Sequence, residues 1–354
     1  MTDISLTTTV GSAPTALATG RERTRSQTTV APAVRIALLR QHGTHSQAFS
    51  ATFQAGLEHF GDERGFLAYK TVGGTALVMS DPIAAPGNIP DLISRFLQQH
   101  PDACFWYLSP AVAKVLAARG FYVNPMGYDT SIDLTTYDFN GPKKKPLREG
   151  YNRMVKRGDV TRECTLAEVG IDKIKALSEA WRLTRPIRFK EVCFLNRPLV
   201  VAEEPDVRRF FTFDRSGKLV AFAFFEPVYE GGKVVGYTSQ HNRHLPEADC
   251  MVHFAIKRVA IETFQKEGLK VLHLGLAPFA DVLEDEELKA SRHWLTALFF
   301  NFAYKNSLVN RFVYSNKGIE AHRRVYRGVQ RQNYYVFKGP AWRVVKGLRA
   351  CNII

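Results

Sequence analysis

Residues 218–239 read KLVAFAFFEPVYEGGKVVGYTS, and the fold turns on how this stretch is read. Apolar and aromatic residues flank Gly231-Gly232, a pair that accepts the positive φ angles of a tight hairpin turn. Lys218–Pro227 and Lys233–Ser239 are therefore expected as antiparallel strands. Working outward, Arg209–Phe213 adds a strand ahead of them, joined around Asp214–Gly217. On the other side a helix is expected over about residues 250–266, with Met251, Phe254, Ala255, Val259 and Phe264 on one side. Gly268 stops it, and KVLHLG at Lys270–Gly275 reads as a buried central strand. A helix over about 287–304, a strand at Leu308–Ser315, a basic helix over about 317–328 and a last strand at Tyr334–Phe337 complete the order.

An earlier stretch repeats that order. GFLAYKTVGGTALVMS at Gly65–Ser80 reads as two strands around Gly73-Gly74. A helix over about 90–99, a strand at Cys104–Leu108, a helix over about 110–119 and a segment ending in the alternating Ser131–Leu134 follow. The expected fold is α/β: two tandem units, each with its own mixed sheet flanked by helices. The boundaries read as a disordered tail over 1–33, a first unit over 34–140 and a mostly helical linking segment over 141–200. A second unit over 201–340 and a basic tail over 341–354 follow. The first 33 residues are rich in Thr, Ser, Ala and Gly and carry too little apolar surface to offset the cost of ordering.

The chain has 354 residues and a net charge of +14. Two segments carry the excess. Residues 143–157 hold seven basic side chains against one acidic, and residues 305–349 hold eleven against one, Glu320. The rest is close to neutral. Charge concentrated in this way suggests a polyanionic partner, or else a solvated basic face. Arg323, Arg324 and Arg327 are at helical spacing and are the candidates for contact with tRNA or an anionic bilayer. No apolar run is long enough to span a membrane and no signal segment is visible, so a cytoplasmic protein, peripheral at most on the inner membrane face, is expected. Five scattered cysteines read as reduced thiols.

The chain lacks a phosphate-binding P-loop, a G-x-G-x-x-G turn, an H-E-x-x-H helix and a G-x-S-x-G elbow. It also lacks the [QR]-x-x-G-x-[GA] loop with which GNAT-class acetyltransferases hold the pyrophosphate of coenzyme A. The motifs that are present carry a resemblance. Leu147-Arg148, Asn152-Arg153 and Gly158 lie in the linking segment; Lys190-Glu191, Phe194-Leu195 and Arg197 follow. LVAFAFFEP at Leu219–Pro227 and LGLAP at Leu274–Pro278 complete the set. In type and order these resemble the C-terminal domain of phosphatidylglycerol lysyltransferases, the multiple peptide resistance factors, over roughly residues 40–338. One departure is visible: the family's Asp-Leu-Met-Arg is replaced by Gln240-His241-Asn242-Arg243, which keeps the arginine and drops the carboxylate.

The resemblance implies two fused GNAT-like folds and an aminoacyltransferase. The donor would be aminoacyl-tRNA and the acceptor a lipid or small-molecule hydroxyl or amine, with neither a cofactor nor a metal. It implies Arg243 and Lys190 as catalytic candidates, and His241 joins them by residue type, since its ordinary pKa lies near neutral. His241 would be the general base, unless it is a solvent-facing strand-end histidine. Arg243 suits a phosphate or carboxylate contact, unless it serves a structural ion pair. Lys190 would hold the acceptor phosphate or the tRNA end, unless it is a solvated surface lysine. Glu226, Gln240, Asn242, Leu276 and Pro278 are expected around the substrate. Arg148, Asn152 and Arg153 are expected either along the path between the halves or in helix-surface salt bridges. His273 reads as a core or cleft histidine, and the aromatic run Trp294, Phe299, Phe300, Phe302 and Tyr304 as helix core. Two other readings stay open: an acyltransferase using a CoA or carrier-protein thioester, and a non-catalytic RNA- or membrane-binding protein.

Overall fold

Turn chemistry frames both halves of the chain. The computed structural model describes residues 29–280, 285–312 and 315–353. In the first half α1 (Pro32–His42) and α2 (Ala48–Phe53) precede the strands β1 (Glu58–Asp62), β2 (Gly65–Val72) and β3 (Thr75–Ala84). Then come α3 (Ile89–Gln99), β4 (Cys104–Leu108), α4 (Pro110–Ala117) and β5 (Tyr122–Asp133). The linking segment holds α5 (Lys145–Arg157), β6 (Val160–Glu163), α6 (Leu166–Val169) and α7 (Ile171–Leu183). The second half runs β7 (Arg208–Phe213), β8 (Leu219–Glu230), β9 (Lys233–His244), α8 (Val252–Lys266) and β10 (Val271–Pro278). It ends with α9 (Glu286–Lys289), α10 (Trp294–Lys305), α11 (Ser307–Phe312), α12 (Asn316–Arg324), β11 (Val329–Phe337) and α13 (Arg343–Ala350). Gly73, Gly74, Gly231 and Gly232 all have φ between +51° and +82°, as the β2–β3 and β8–β9 hairpins require.

The fold is α/β, but the strands do not divide into two sheets. They form one eleven-stranded sheet in the order β1-β2-β3-β4-β11-β5-β10-β9-β8-β7-β6. The expectation of two separate sheets is corrected by an exchange of closing strands. Each half has its own parallel pair, β3 with β4 and β9 with β10. The antiparallel strand beside β4 is β11, from the end of the chain, and the one beside β10 is β5, from the first half. β5 and β11 pair with each other and weld the halves together. Gly127 in β5 has φ +112°, and a Cβ there would lie 2.1 Å from the Ala277 carbonyl oxygen. A glycine is what lets β5 lie against β10 at that point.

Alternation along the strands sorts the core. On β8, Phe222 and Phe224 pack with Leu166, Ile174 and Leu177 of α6 and α7 on one face. Ala223 and Phe225 pack with Ile256, Ile261 and Phe264 of α8 on the other. All five residues of β4 are buried, as a strand covered on both faces should be.

Several local readings change. Leu308–Ser315 was expected as a strand, but Ser307–Phe312 is helix α11. The Asn306 side chain accepts hydrogen bonds from the Leu308 and Val309 amides at 2.9 and 3.2 Å and so starts that helix. The aromatic run of α10 is not helix core: Phe300 is buried, whereas Trp294, Phe299 and Phe302 are exposed. Val30 is buried and Thr29 bridges to Phe60, so ordered structure reaches back to residue 29; residues 1–28 of the expected tail lie outside the described residues. Residues 343–350 form α13, which buries Val344, Gly347 and Ala350.

Candidate functional site

Two features of β9 open a pocket. Its parallel pairing with β10 ends at Thr238 and His273; beyond that point β9 follows β8 while β10 follows β5, and the two strands part. In the same stretch the register with β8 slips. Ala223 faces Asn242 and Phe225 faces Ser239, so Gln240 and His241 together oppose the single residue Phe224. Such a bulge re-aims side chains that would otherwise alternate between faces. Gln240 and His241 therefore both line one cavity of about 280 Å³. Its other walls come from the end of α7 and the segment after it, including Trp181, Arg185, Lys190 and Glu191, and from Ile319 of α12.

Of the residues expected from the sequence, the structure brings Lys190, Gln240, His241, Asn242 and Arg243 to this cavity. Arg243 is buried, with its guanidinium 4.9 Å from the centre of the Trp181 ring. One of its terminal nitrogens donates to Ser178 Oγ, the other to Glu191 Oε1. Of the two readings of this arginine the structure shows the structural ion pair, and the residue also lines the cavity. His241 is buried against Phe224 rather than facing solvent. Burial holds its imidazole well below the usual pKa, and repulsion from Arg243 and Arg197 adds to the shift. It is uncharged at neutral pH.

Glu226 lies beneath the pocket floor. Gln240 Nε2 donates to its Oε2 at 3.3 Å and to Ser50 Oγ at 3.0 Å, and Ser50 Oγ donates to the same Oε2 at 2.7 Å. On the far side Arg197 Nη1 donates to Glu226 Oε1 at 3.1 Å and to Glu204 Oε2 at 3.1 Å. Burial raises the Glu226 pKa and the Arg197 guanidinium opposes that shift.

Asn242 is held from α8. Lys257 Nζ donates to Asn242 Oδ1 at 2.8 Å and lies 3.4 Å from His322 Nε2. Burial pulls the Lys257 ammonium down to about 7, with repulsion from Arg323 adding to it. In the unfolded chain a lysine keeps its proton to about pH 10.4. Between about pH 7 and about pH 10 the unfolded state therefore binds more protons, so Lys257 makes folding stability rise with pH. Below about pH 7 both states hold the proton and the penalty is constant. Lys257→Met is expected to flatten that rise, measured as urea midpoints at about pH 7 and about pH 9.5.

Leu276 and Pro278 line a second cavity of about 270 Å³, together with Trp106, Phe279 and Phe300. Its wall is almost wholly apolar. Val192 and Asn196 border both cavities, so the two adjoin.

Arg148, Asn152 and Arg153 lie in neither cavity. Arg148 Nη1 donates to the Phe139 and Gly141 carbonyls at 2.6 and 2.8 Å, Arg153 pairs with Asp249 at 3.5 Å, and Asn152 is exposed. Arg323, Arg324 and Arg327 do not share one face, which corrects the helical-spacing argument. Arg323 Nε donates to the Leu274 carbonyl at 2.9 Å, Arg324 pairs with Glu320, and Arg327 lies past the end of α12 with φ +55°. Sequence reasoning missed the shaping roles of Trp181, Ser178 and Glu191, and the ion-pair role of Arg197. A Glu beside Lys190 was the only signal for the clamp on Arg243. Among the described residues no cluster of three His, Cys, Asp or Glu side chains suits a metal, and no helix is long and apolar enough to cross a membrane.

The family model described as phosphatidylglycerol lysyltransferase, C-terminal, matches residues 36–337. The phosphatidylglycerol lysyltransferase of Bacillus subtilis is 21% identical over 287 residues, which cover 78% of this chain and 31% of that protein. The chain thus spans about a third of that relative's length. Among solved structures, L-PGS from Bacillus licheniformis superposes with a TM-score of 0.72 at 18% identity, covering 91% of this chain and 96% of that one. The C-terminal domain of a putative lysylphosphatidylglycerol synthetase from Agrobacterium fabrum gives 0.70 at 19%, covering 91% and 97%. At such identities these two likenesses speak to the fold.

Proposed function

The chain belongs to the family of phosphatidylglycerol lysyltransferase C-terminal domains, and from that premise we propose that it transfers an aminoacyl group from aminoacyl-tRNA to a lipid acceptor. The observation that carries the reading is the adjoining pair of cavities. One is lined by Lys190, Arg243 and Gln240, the other by Leu276, Pro278 and aromatic rings, and they share Val192 and Asn196. A cavity of mixed lining that carries Lys190 and Arg243, beside one that is almost wholly apolar, suits an amphiphile with a phosphorylated headgroup and acyl chains.

In this account the acceptor hydroxyl oxygen attacks the carbonyl carbon of the aminoacyl ester. The new carbon–oxygen bond forms first, giving a tetrahedral oxyanion, and the bond to the terminal ribose oxygen of the tRNA breaks as that species collapses. The hydroxyl proton passes to the uncharged imidazole of His241 and then to the departing ribose oxygen. Arg243 and Lys190 supply positive charge against the headgroup phosphate and the tetrahedral oxyanion. Glu226 holds Gln240 in place, and Lys257 does the same for Asn242. The ester is already activated, so positioning is the main demand. Exposed Lys145, Arg153 and Lys156, with Asn152, give α5 an outer side suited to the phosphates of the tRNA acceptor arm.

The test is to incubate the protein with a mixed pool of radiolabelled aminoacyl-tRNAs and phosphatidylglycerol micelles, then extract into organic solvent. Protein-dependent label in the lipid fraction is expected. Label that stays on tRNA, while acetyl-CoA or an acyl-carrier thioester is consumed, would overturn the reading.

A further inference from the structure

Helix α10 turns the wrong side outward for a soluble protein. Thr296 and Phe300 are buried, Phe300 stacking on Phe279 at 4.3 Å between ring centres. The opposite face presents Trp294, Leu295, Leu298, Phe299 and Phe302, which are 50–68% exposed. These positions follow the i, i+1, i+4, i+5, i+8 pattern of one helical face. Leu308 of α11 extends the patch at 63% exposure. Of the fifteen large apolar side chains exposed among the described residues, six fall between residues 294 and 308. That is a patch, where single exposed apolar residues would need no account.

Two further observations identify what covers it. From Leu288 to Ile319 the chain carries Lys289, Arg292, Lys305, Arg311 and Lys317 and no acidic residue. The apolar face is therefore set within a cationic stretch, in which Lys289 is paired with Glu286 of the acidic run just before it. In addition, Phe299 and Phe302 belong both to the exposed face and to the wall of the apolar cavity, so outer surface and cavity are continuous. We propose that α10 and α11 are the surface by which the protein seats itself on an anionic phospholipid bilayer. Helix α10 would lie in the interface plane with Trp294, Leu295 and Leu298 among the acyl chains, and the flanking cations would meet the headgroups. An interfacial helix combines an apolar face carrying Trp, Phe and Leu with lysine and arginine at its edges in this way. Basic residues near the surface each add attraction to anionic lipid. A second copy of the chain would bring like charges together, and RNA has no use for Leu295 and Leu298, which offer no ring for a base to stack on. The seat brings the mouth of the apolar cavity against the lipid from which an acceptor would be drawn. In that respect it deepens the lipid-acceptor reading and rests on it.

The test is co-sedimentation of the full chain, without tRNA, with vesicles of phosphatidylcholine alone and of phosphatidylcholine mixed with phosphatidylserine. Phosphatidylserine supplies the charge without the proposed acceptor headgroup, so binding is measured apart from turnover. The wild type is expected to bind the anionic vesicles and to release them at high salt. The triple variant Trp294→Ser, Leu295→Ser, Leu298→Ser is expected to lose roughly tenfold or more in vesicle affinity. None of the three lines either cavity, so its melting temperature and its transfer rate to lipid in detergent micelles should match wild type. Trp294 fluorescence, read against Trp294→Phe, should shift to the blue on binding. Unchanged vesicle affinity in the triple variant would overturn the proposal. So would a wild type that ignores anionic vesicles, or a variant that alters only self-association. Failed transfer in micelles with vesicle binding intact would instead count against the acceptor reading.

Discussion

Replacing Arg197 with methionine will lower folding stability by about 3–5 kcal/mol, the largest loss expected from any single change at the site. Arg197 is 4% exposed and is shared between Glu204 and Glu226, and Glu226 is itself buried. Taking the guanidinium away leaves the Glu226 carboxylate without a cation in a dry setting, which costs far more than the pair contributes net. In that variant the folded carboxyl would hold its proton above the unfolded value of about 4.3. The folded state then binds more protons than the unfolded one in that window, so the variant's stability falls further as pH rises through it. Adding Glu226→Gln to Arg197→Met should recover at least half of the loss, because the neutral amide still accepts from Ser50. Denaturant unfolding of the two variants measures this. A single variant within about 1 kcal/mol of wild type would mean the ion pair is not what holds β8 beneath the pocket.

Arg243→Ala will reduce aminoacyl transfer by about 100- to 1000-fold while leaving the protein folded. Its partner Glu191 is 33% exposed and can rehydrate, so the stability cost is small beside that of Arg197. Arg243→Lys should restore little. Ser178 and Glu191 are held by different guanidinium nitrogens, and the flat face lies over Trp181; an ammonium provides neither the fork nor the stacking. The loss should appear in kcat with tRNA binding retained, since the basic outer side of α5 lines neither cavity. Full activity in Arg243→Ala would remove the arginine from the mechanism.

Local chemistry made much of the fold readable. Gly73-Gly74 and Gly231-Gly232 between apolar runs announced two hairpins, and the Leu272/Leu274 alternation announced β10. β1, with the sequence EHFGD, carries no β-branched residue and gave no signal. The strand exchange was invisible for a different reason: the burial pattern of β5 and β11 fits a place inside either sheet, and Gly127, whose missing side chain admits β10, reads in sequence as any strand glycine. Asn306 was readable as a helix start, yet the Leu, Val, Phe and Tyr after it pointed to a strand. At the site, Gln240–Arg243 could be picked out by resemblance to a family motif. The bulge that turns Gln240 and His241 to one side arises from the β8–β9 register, which no single stretch contains. The outward face of α10 was hidden because its buried and exposed faces are both apolar, leaving periodicity nothing to separate.

The central claim is that one acceptor spans both cavities, its headgroup beside Lys190 and Arg243 in the mixed one and its chains in the apolar one. It is tested most directly by comparing kcat/KM for phosphatidylglycerol in detergent micelles with that for its deacylated, water-soluble headgroup, using the same charged tRNA. Each buried methylene contributes about 0.8 kcal/mol, so a few of them in the apolar cavity amount to a factor of about 100. The account predicts at least that loss for the headgroup alone. Equal kcat/KM for the two acceptors would contradict it.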